Sequence, residues 1–210
     1  MIRSTNKQSL EILLKESNLA DGVQRFNSSD LEQLFGDCFF VRYNTVLVGG
    51  AMEPEYLPSG LGHSAVNKLF YREDFFASAM HEIAHWCIAG VARRGEKDFG
   101  YWYEEDGRNL QQQSEFEKVE IKPQALECLF LEATGFQFKP SVDNIAVNNE
   151  PSKEFLQGLS KQIHIYLDHM PKDADIFLSC LLKRYKQFNS EKEFYAHMCS
   201  VTDILLENDS

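Results

Sequence analysis

His81, Glu82 and His85 spell H-E-x-x-H within His81-Glu82-Ile83-Ala84-His85. Four residues is just over one helical turn, so on a helix both imidazoles leave one face and can grip one metal ion. Glu82 then stands beside the position that a catalytic metal keeps open. Chance produces this motif in a chain of this length on the order of 1% of the time, so the flanking residues decide. They predict a strongly apolar helix, with Phe75, Phe76, Ala79, Ile83, Trp86 and Cys87 in the run and Asp74 as its N-cap. Two histidines on such a helix need partners for their ring nitrogens, and a single cation serves both.

Two imidazoles do not complete a catalytic centre, which normally has three protein ligands and an open position. The third histidine of H-E-x-x-H-x-x-G-x-x-H has no counterpart, because Ile88 and Val91 hold the Gly and His positions. The donors that remain are carboxylates on the next predicted helix, Glu115, Glu117 and Glu120. Glu120 is favoured: it lies 35 residues beyond His85, room for a loop and a returning helix, and Ile121, Ala125 and Leu126 predict a core-facing turn around it. Glu117 is the second choice. It shares a helix face with Glu120, so one can bind metal while the other orients a ligand histidine or the substrate. The chemistry stays open at this point. With zinc, Glu82 would be the general base of a hydrolase; with Fe(II), the same ligands leave positions for O2 and substrate. His63, His164, His169 and His197 stand in no ligand spacing and read as surface or capping residues.

The elements that must position these residues follow from periodicity and breakers. Helical spacing covers residues 7–17 and 30–40, with Asn27-Ser28-Ser29-Asp30 as a capping region between them. Tyr43 to Gly50 reads as a strand that ends in Gly49-Gly50. Residues 53–58 are extended because Pro54 and Pro58 forbid a helix. Asn67 to Arg72 is a short strand leading into the histidine helix. Residues 93–108 form a long loop rich in charge, glycine and aromatics, of the kind that usually carries function. Residues 111–133 are helical, with Pro123 as an irregularity or a first-turn residue. Helices follow over 153–169, 173–187 and 191–206. The fold class is α+β: a small sheet, a metal helix packed beside it, and a mostly helical C-terminal half.

A chain of 210 residues suits a single domain, and 43% hydrophobic residues with 16 Phe supply its core. A net charge of -11 argues against direct nucleic-acid binding, which needs cations to neutralise phosphates. Five cysteines in an odd, scattered set without a CxxC pair predict reduced thiols acting as small core residues. Met1-Ile2-Arg3-Ser4 opens no signal-type apolar region, and no apolar run approaches the roughly 20 residues of a membrane span. The expectation is a soluble cytoplasmic protein with no membrane partner.

A wider set of residues carries a resemblance. It comprises Phe75-Phe76-Ala77-Ser78-Ala79, His81 to Gly90, Ala92-Arg93-Arg94, Asp98-Phe99-Gly100-Tyr101-Trp102-Tyr103, Asp106-Gly107-Arg108, Phe116-Glu117, Val119-Glu120 and Lys122-Pro123-Gln124-Ala125-Leu126. Glu53-Pro54 and Tyr56-Leu57-Pro58 also fit. Over residues 53–130 the chain resembles the elongation factor P hydroxylase family, with residues 1–25 as an extension on the family pattern and the C-terminal third a weak match. The resemblance implies a zincin-like fold with an oxidative activity: hydroxylation of a lysine of bacterial elongation factor P that already carries a β-lysyl addition. It implies an iron-dependent, monooxygenase-type enzyme using Fe(II) and O2 without 2-oxoglutarate, whose two-His, one-Glu site maps to His81, His85 and a Glu of the 117–120 pair.

The modified lysine is long and cationic, which suggests roles for the loop. Tyr101, Trp102 and Tyr103 would hold its methylene chain and ammonium groups by packing and cation–π contact. Glu104, Glu105 and Asp106, or Glu53 and Glu55, would supply complementary charge. Arg93, Arg94 and Arg108 would meet acidic surface of the protein substrate. Glu82 would handle protons beside the metal, and Glu117 would stand by the substrate if Glu120 is the ligand. Two other readings compete. One is a zinc metallopeptidase, with Glu82 as base and residues 53–58 as an edge that binds peptide by strand addition. The other is an interaction module around a structural metal.

Overall fold

The computed structural model describes residues 26–61, 64–100, 110–142 and 150–207. Helix α1, Ser28–Tyr43, starts in the expected capping region: Asn27 is extended and its Oδ1 accepts the Ser29 N–H at 3.0 Å. It ends at Asn44, whose φ of 49° is left-handed and redirects the chain into a strand. Strands β1 (Thr45–Ala51), β2 (Glu55–Leu57) and β3 (Asn67–Arg72) form one sheet in the order β1-β3-β2. Central β3 is parallel to β1 and antiparallel to β2.

The register of β1 on β3 slips between Val48 and Ala51. Gly49 lies within this slip, and a Cβ there would fall 2.5 Å from the Tyr71 hydroxyl oxygen. The Gly49 N–H and the Tyr71 hydroxyl both donate to Glu32 Oε1 at 2.9 Å, which ties this bulge to α1.

Helix α2, Phe76–Arg93, carries the histidines. Its N-cap is Phe75, which makes no side-chain bond, so Asp74 is not the cap that the sequence suggested. Ser78 Oγ instead accepts the Arg72 N–H at 3.1 Å, tying the end of β3 to the first turn of α2. The sheet therefore sets where His81 and His85 stand. Gly90, at φ 70°, breaks the last turn and lets the chain fold back.

Arg94 uses that reversal. Its guanidinium lies 3.4 Å from the Trp86 ring centroid, its Nε donates to the Trp86 carbonyl at 2.9 Å, and its Nη2 donates to Asp173 at 2.8 Å. Only 7% of Arg94 is exposed, so it braces the interior and does not meet a substrate surface, as the sequence had suggested. Trp86 in turn packs its ring against Phe35 and Phe39 of α1 at 5.0 and 4.7 Å, contacts worth about 0.5–1.5 kcal/mol each beyond the area they bury.

A 3-10 turn, Lys97–Gly100, precedes α3, Leu110–Thr134. Pro123 lies inside α3, where its missing N–H leaves the Val119 carbonyl without its usual donor. Helices α4 (Lys153–Asp168), α5 (Lys172–Tyr185) and α6 (Glu191–Glu207) close the fold, which is α+β as expected. The thiols Cys87 and Cys128 are core residues and Cys38 and Cys180 are half-buried, but Cys199 is exposed. Among the described residues, no helix is long and apolar enough to cross a membrane.

Candidate metal centre

Helices α2 and α3 face each other, and three side chains converge between them. The Nε2 atoms of His81 and His85 lie 3.1 Å apart. Glu120 on α3 sends Oε1 to within 3.5 Å of His85 Nε2 and Oε2 to within 3.6 Å of His81 Nε2. A cation with bonds of about 2.0–2.2 Å holds neighbouring ligand atoms roughly 3.0–3.6 Å apart, which matches these separations. Glu120 is only 2% exposed, yet among the described residues its Oε2 has no hydrogen-bond partner. A buried polar atom in that state costs about 1–3 kcal/mol, more when charged, unless something meets it. Two imidazole nitrogens and this orphaned oxygen fit a divalent metal, and among the described residues they are the one such group.

The electrostatics agree. Burial favours the neutral form of Glu120, but the charges of His85 and His81, with the His85 hydrogen bond, prevail and hold its carboxyl down at about 2. Burial likewise opposes charge on His81, yet Glu127 foremost, then Glu120 and Glu82, raise it to about 10. Burial pushes the Glu82 carboxyl up, against the opposing pull of His81 and His85. A cluster that draws a proton this strongly is one that a cation can enter in the proton's place.

The other expected residues are not gathered here. Glu117 accepts the hydroxyl of Ser152, the residue that caps α4 through the Phe155 N–H. Glu115 is exposed and paired with Lys118 at 2.7 Å. Glu55 is bound to Lys97 at 2.6 Å. His197 meets Glu132 at 2.7 Å and His164 meets Thr202 at 3.2 Å, both away from the centre. Tyr101, Trp102, Tyr103 and Arg108, with Glu104, Glu105, Asp106 and His63, lie outside the described residues.

Sequence reasoning missed Glu127, whose Oε2 lies 2.8 Å from Nδ1 of His81. Its signal is a spacing of seven from Glu120, two helical turns, which puts both acids on one face of α3. The outer edge of β2 is also not what was expected. The Tyr56 N–H donates to Asp98 Oδ1 at 2.8 Å, and the Tyr56 ring stacks on Phe99 with centroids 4.5 Å apart. That stretch of edge is covered by the 3-10 turn.

Comparison with known proteins matches the same region. The profile of the family described as elongation factor P hydroxylase matches residues 34–195, a span that contains every residue of the converging group. The elongation factor P lysine hydroxylase of Haemophilus influenzae is 43% identical over 157 residues, which cover 74% of this chain and 88% of the relative.

Proposed function

The chain belongs to the elongation factor P hydroxylase family, and from that premise we propose that it hydroxylates the β-lysylated lysine of elongation factor P at an iron centre held by His81, His85 and Glu120. The observation that carries this reading is the convergence of two imidazole nitrogens on a buried carboxylate oxygen that has no hydrogen-bond partner among the described residues. Fe(II) held by these two histidines and one carboxylate would supply activation of O2. Balanced as a monooxygenation, one oxygen atom would enter a C–H bond, and an external two-electron reductant with two protons would carry the other to water.

The chain's own residues account for the rest. His81 and His85 present Nε2, and Glu120 contributes the one charge of the ligand set. Glu82, whose carboxyl burial pushes up, can hold a proton beside the reacting atoms. Tyr101, Trp102 and Tyr103 would receive the long cationic side chain, since aromatic faces attract ammonium groups and pack methylenes. Arg108 would meet acidic surface of the protein substrate. Glu117 is engaged with Ser152 and would act near the substrate only by leaving that bond. An elongation factor as substrate supports a cytoplasmic reaction. The peptidase alternative loses part of its binding edge where Asp98 takes the Tyr56 N–H.

The test is mass spectrometry of β-lysylated elongation factor P after incubation with the protein, Fe(II) and a reductant in air. A gain of one oxygen atom is expected, and none with His81→Ala. Unmodified substrate after incubation with iron-loaded wild type would overturn the proposal.

A further inference from the structure

Behind His81 stands a carboxylate that is not one of the three converging donors. Glu127 Oε2 lies 2.8 Å from Nδ1 of the ring, while Nε2 of the same ring faces His85 at 3.1 Å and Glu120 at 3.6 Å. The two ring nitrogens therefore face different tasks. A neutral imidazole carries one proton; placed on Nδ1, that proton is donated to Glu127 and the Nε2 lone pair is left for a cation. Among the described residues, no carboxylate meets Nδ1 of His85.

The placement is rigid. Leu126, Cys128, Leu129 and Phe130 on either side of Glu127 are fully buried, so the backbone cannot slide to relieve the contact. One turn earlier, Gln124 clamps α3 to Ser141 through two bonds, donating at 2.7 Å and accepting at 3.0 Å. Glu127 is itself buried, and a buried carboxylate needs a partner. Glu120 and Glu127 together bring two negative charges, which a divalent cation balances.

We propose that Glu127 is a positioning residue for the metal: by accepting the Nδ1 proton of His81 it fixes the tautomer and the ring plane, strengthens Nε2 as a donor, and thereby holds the cation. This rests on the metal reading of His81, His85 and Glu120.

The test compares Zn(II) and Co(II) affinity of wild type, Glu127→Gln and Glu127→Ala by chelator competition, with circular dichroism confirming the fold of each apo protein. The expected losses are about 10-fold for the Gln variant, which keeps an oxygen for the ring but not the charge, and about 100-fold for the Ala variant, which keeps neither. The Co(II) absorption spectrum of the Gln variant should lie between the other two. If the Ala variant does not fold, the Gln variant decides alone. Either folded variant with wild-type affinity and spectrum overturns the positioning role. A wild type that binds neither cation, with no change on His85→Ala, removes the metal reading itself and this role with it.

Discussion

Glu120 and Glu127 take opposite nitrogens of one ring: Glu120 Oε2 stands 3.6 Å from Nε2 of His81 and Glu127 Oε2 stands 2.8 Å from its Nδ1. The imidazole thus spans two turns of α3 and fastens α2 to it. Without a metal, the ring satisfies both acids only when it is doubly protonated. With a metal, the cation takes over from the Nε2 proton. The centre has two chemically different ways of neutralising the same carboxylates, and their stabilities depend differently on pH.

The metal-free protein should lose stability on the alkaline side of pH 6.5. His81 titrates near 10 in the fold against 6.5 for the free group. A raised value contributes stability that is complete below pH 6.5 and disappears as pH rises through 10. Glu120 acts in the opposite sense. Its value falls from 4.5 to about 2, so its contribution is complete above pH 4.5 and lost as pH falls through 2. Thermal unfolding of the apo protein should therefore show a plateau between pH 4.5 and 6.5 and a decline on either side. Saturating Zn(II) should lift the alkaline limb. An apo Tm that stays flat from pH 6.5 to 9 contradicts the assignment.

Glu120→Gln should separate folding from metal binding. The substitution keeps the volume and removes the charge that His85 and His81 hold in the apo protein. The apo Tm should fall at neutral pH, because the attraction of the carboxylate to His85 and His81 is lost, so the reading is the zinc-induced rise above each protein's own apo value. At free Zn(II) of 100 times its Kd, wild type gains about 2.7 kcal/mol, which for a chain of this size is roughly 5–10 °C. The variant should gain none of it. A zinc-induced rise equal to that of wild type would mean that Glu120 is not a ligand.

Much of this site can be read in the sequence because its residues lie on regular elements. Strand β3 occupies the predicted Asn67–Arg72, and α3 and α4 end within one residue of the expected bounds; in α4 the hydrophobic spacing reports which face is buried. Glu120 is recognisable from its buried neighbours Ala125 and Leu126. Glu127 is not, because a spacing of seven places two acids on one face but does not say which histidine lies opposite. That depends on how α2 crosses α3, a tertiary fact. Arg94 is hidden for a different reason. In sequence it is the twin of Arg93, and the left-handed turn at Gly90 sends it into the core while Arg93 stays exposed. The acid beside Nδ1 of His81 is Glu127, two turns beyond Glu120, while Glu117 meets Ser152.

Arg94→Met should be strongly destabilising without touching the metal ligands. Asp173 is buried and holds Arg94 at 2.8 Å and the Tyr43 hydroxyl at 2.8 Å. Removing the guanidinium leaves a buried carboxylate with one neutral donor, a change that typically costs about 3–5 kcal/mol. Removing both charges, as Arg94→Met with Asp173→Leu, should cost less than Arg94→Met alone, since no isolated buried charge remains. Urea unfolding of wild type and the two variants reads the difference. A single variant within about 0.5 kcal/mol of wild type, the range of an ordinary surface change, would show that the pair does not brace the fold.

Gly49→Ala tests whether the bulge in β1 is needed for the metal helix to sit where it does. The new methyl would lie 2.5 Å from the Tyr71 oxygen, 2.6 Å from the adjoining ring carbon and 3.1 Å from the Glu73 carbonyl. Tyr71 is fully buried and its hydroxyl is held by Glu32, so the ring cannot swing aside. Overpacking of this kind costs about 1–3 kcal/mol, or roughly 2–12 °C in Tm for a chain of this size. Part of the loss should return in Gly49→Ala with Tyr71→Phe, which removes the atom nearest the new methyl. Metal affinity is the more informative reading. Strand β3 runs through Tyr71 to Arg72, which is bonded to Ser78 in the first turn of α2, only three residues before His81. A shift of Tyr71 should reach the histidines along that path, and Zn(II) affinity should fall together with Tm. A lowered Tm with unchanged affinity would mean that α3 alone, through Glu120 and Glu127, sets the position of the histidine pair.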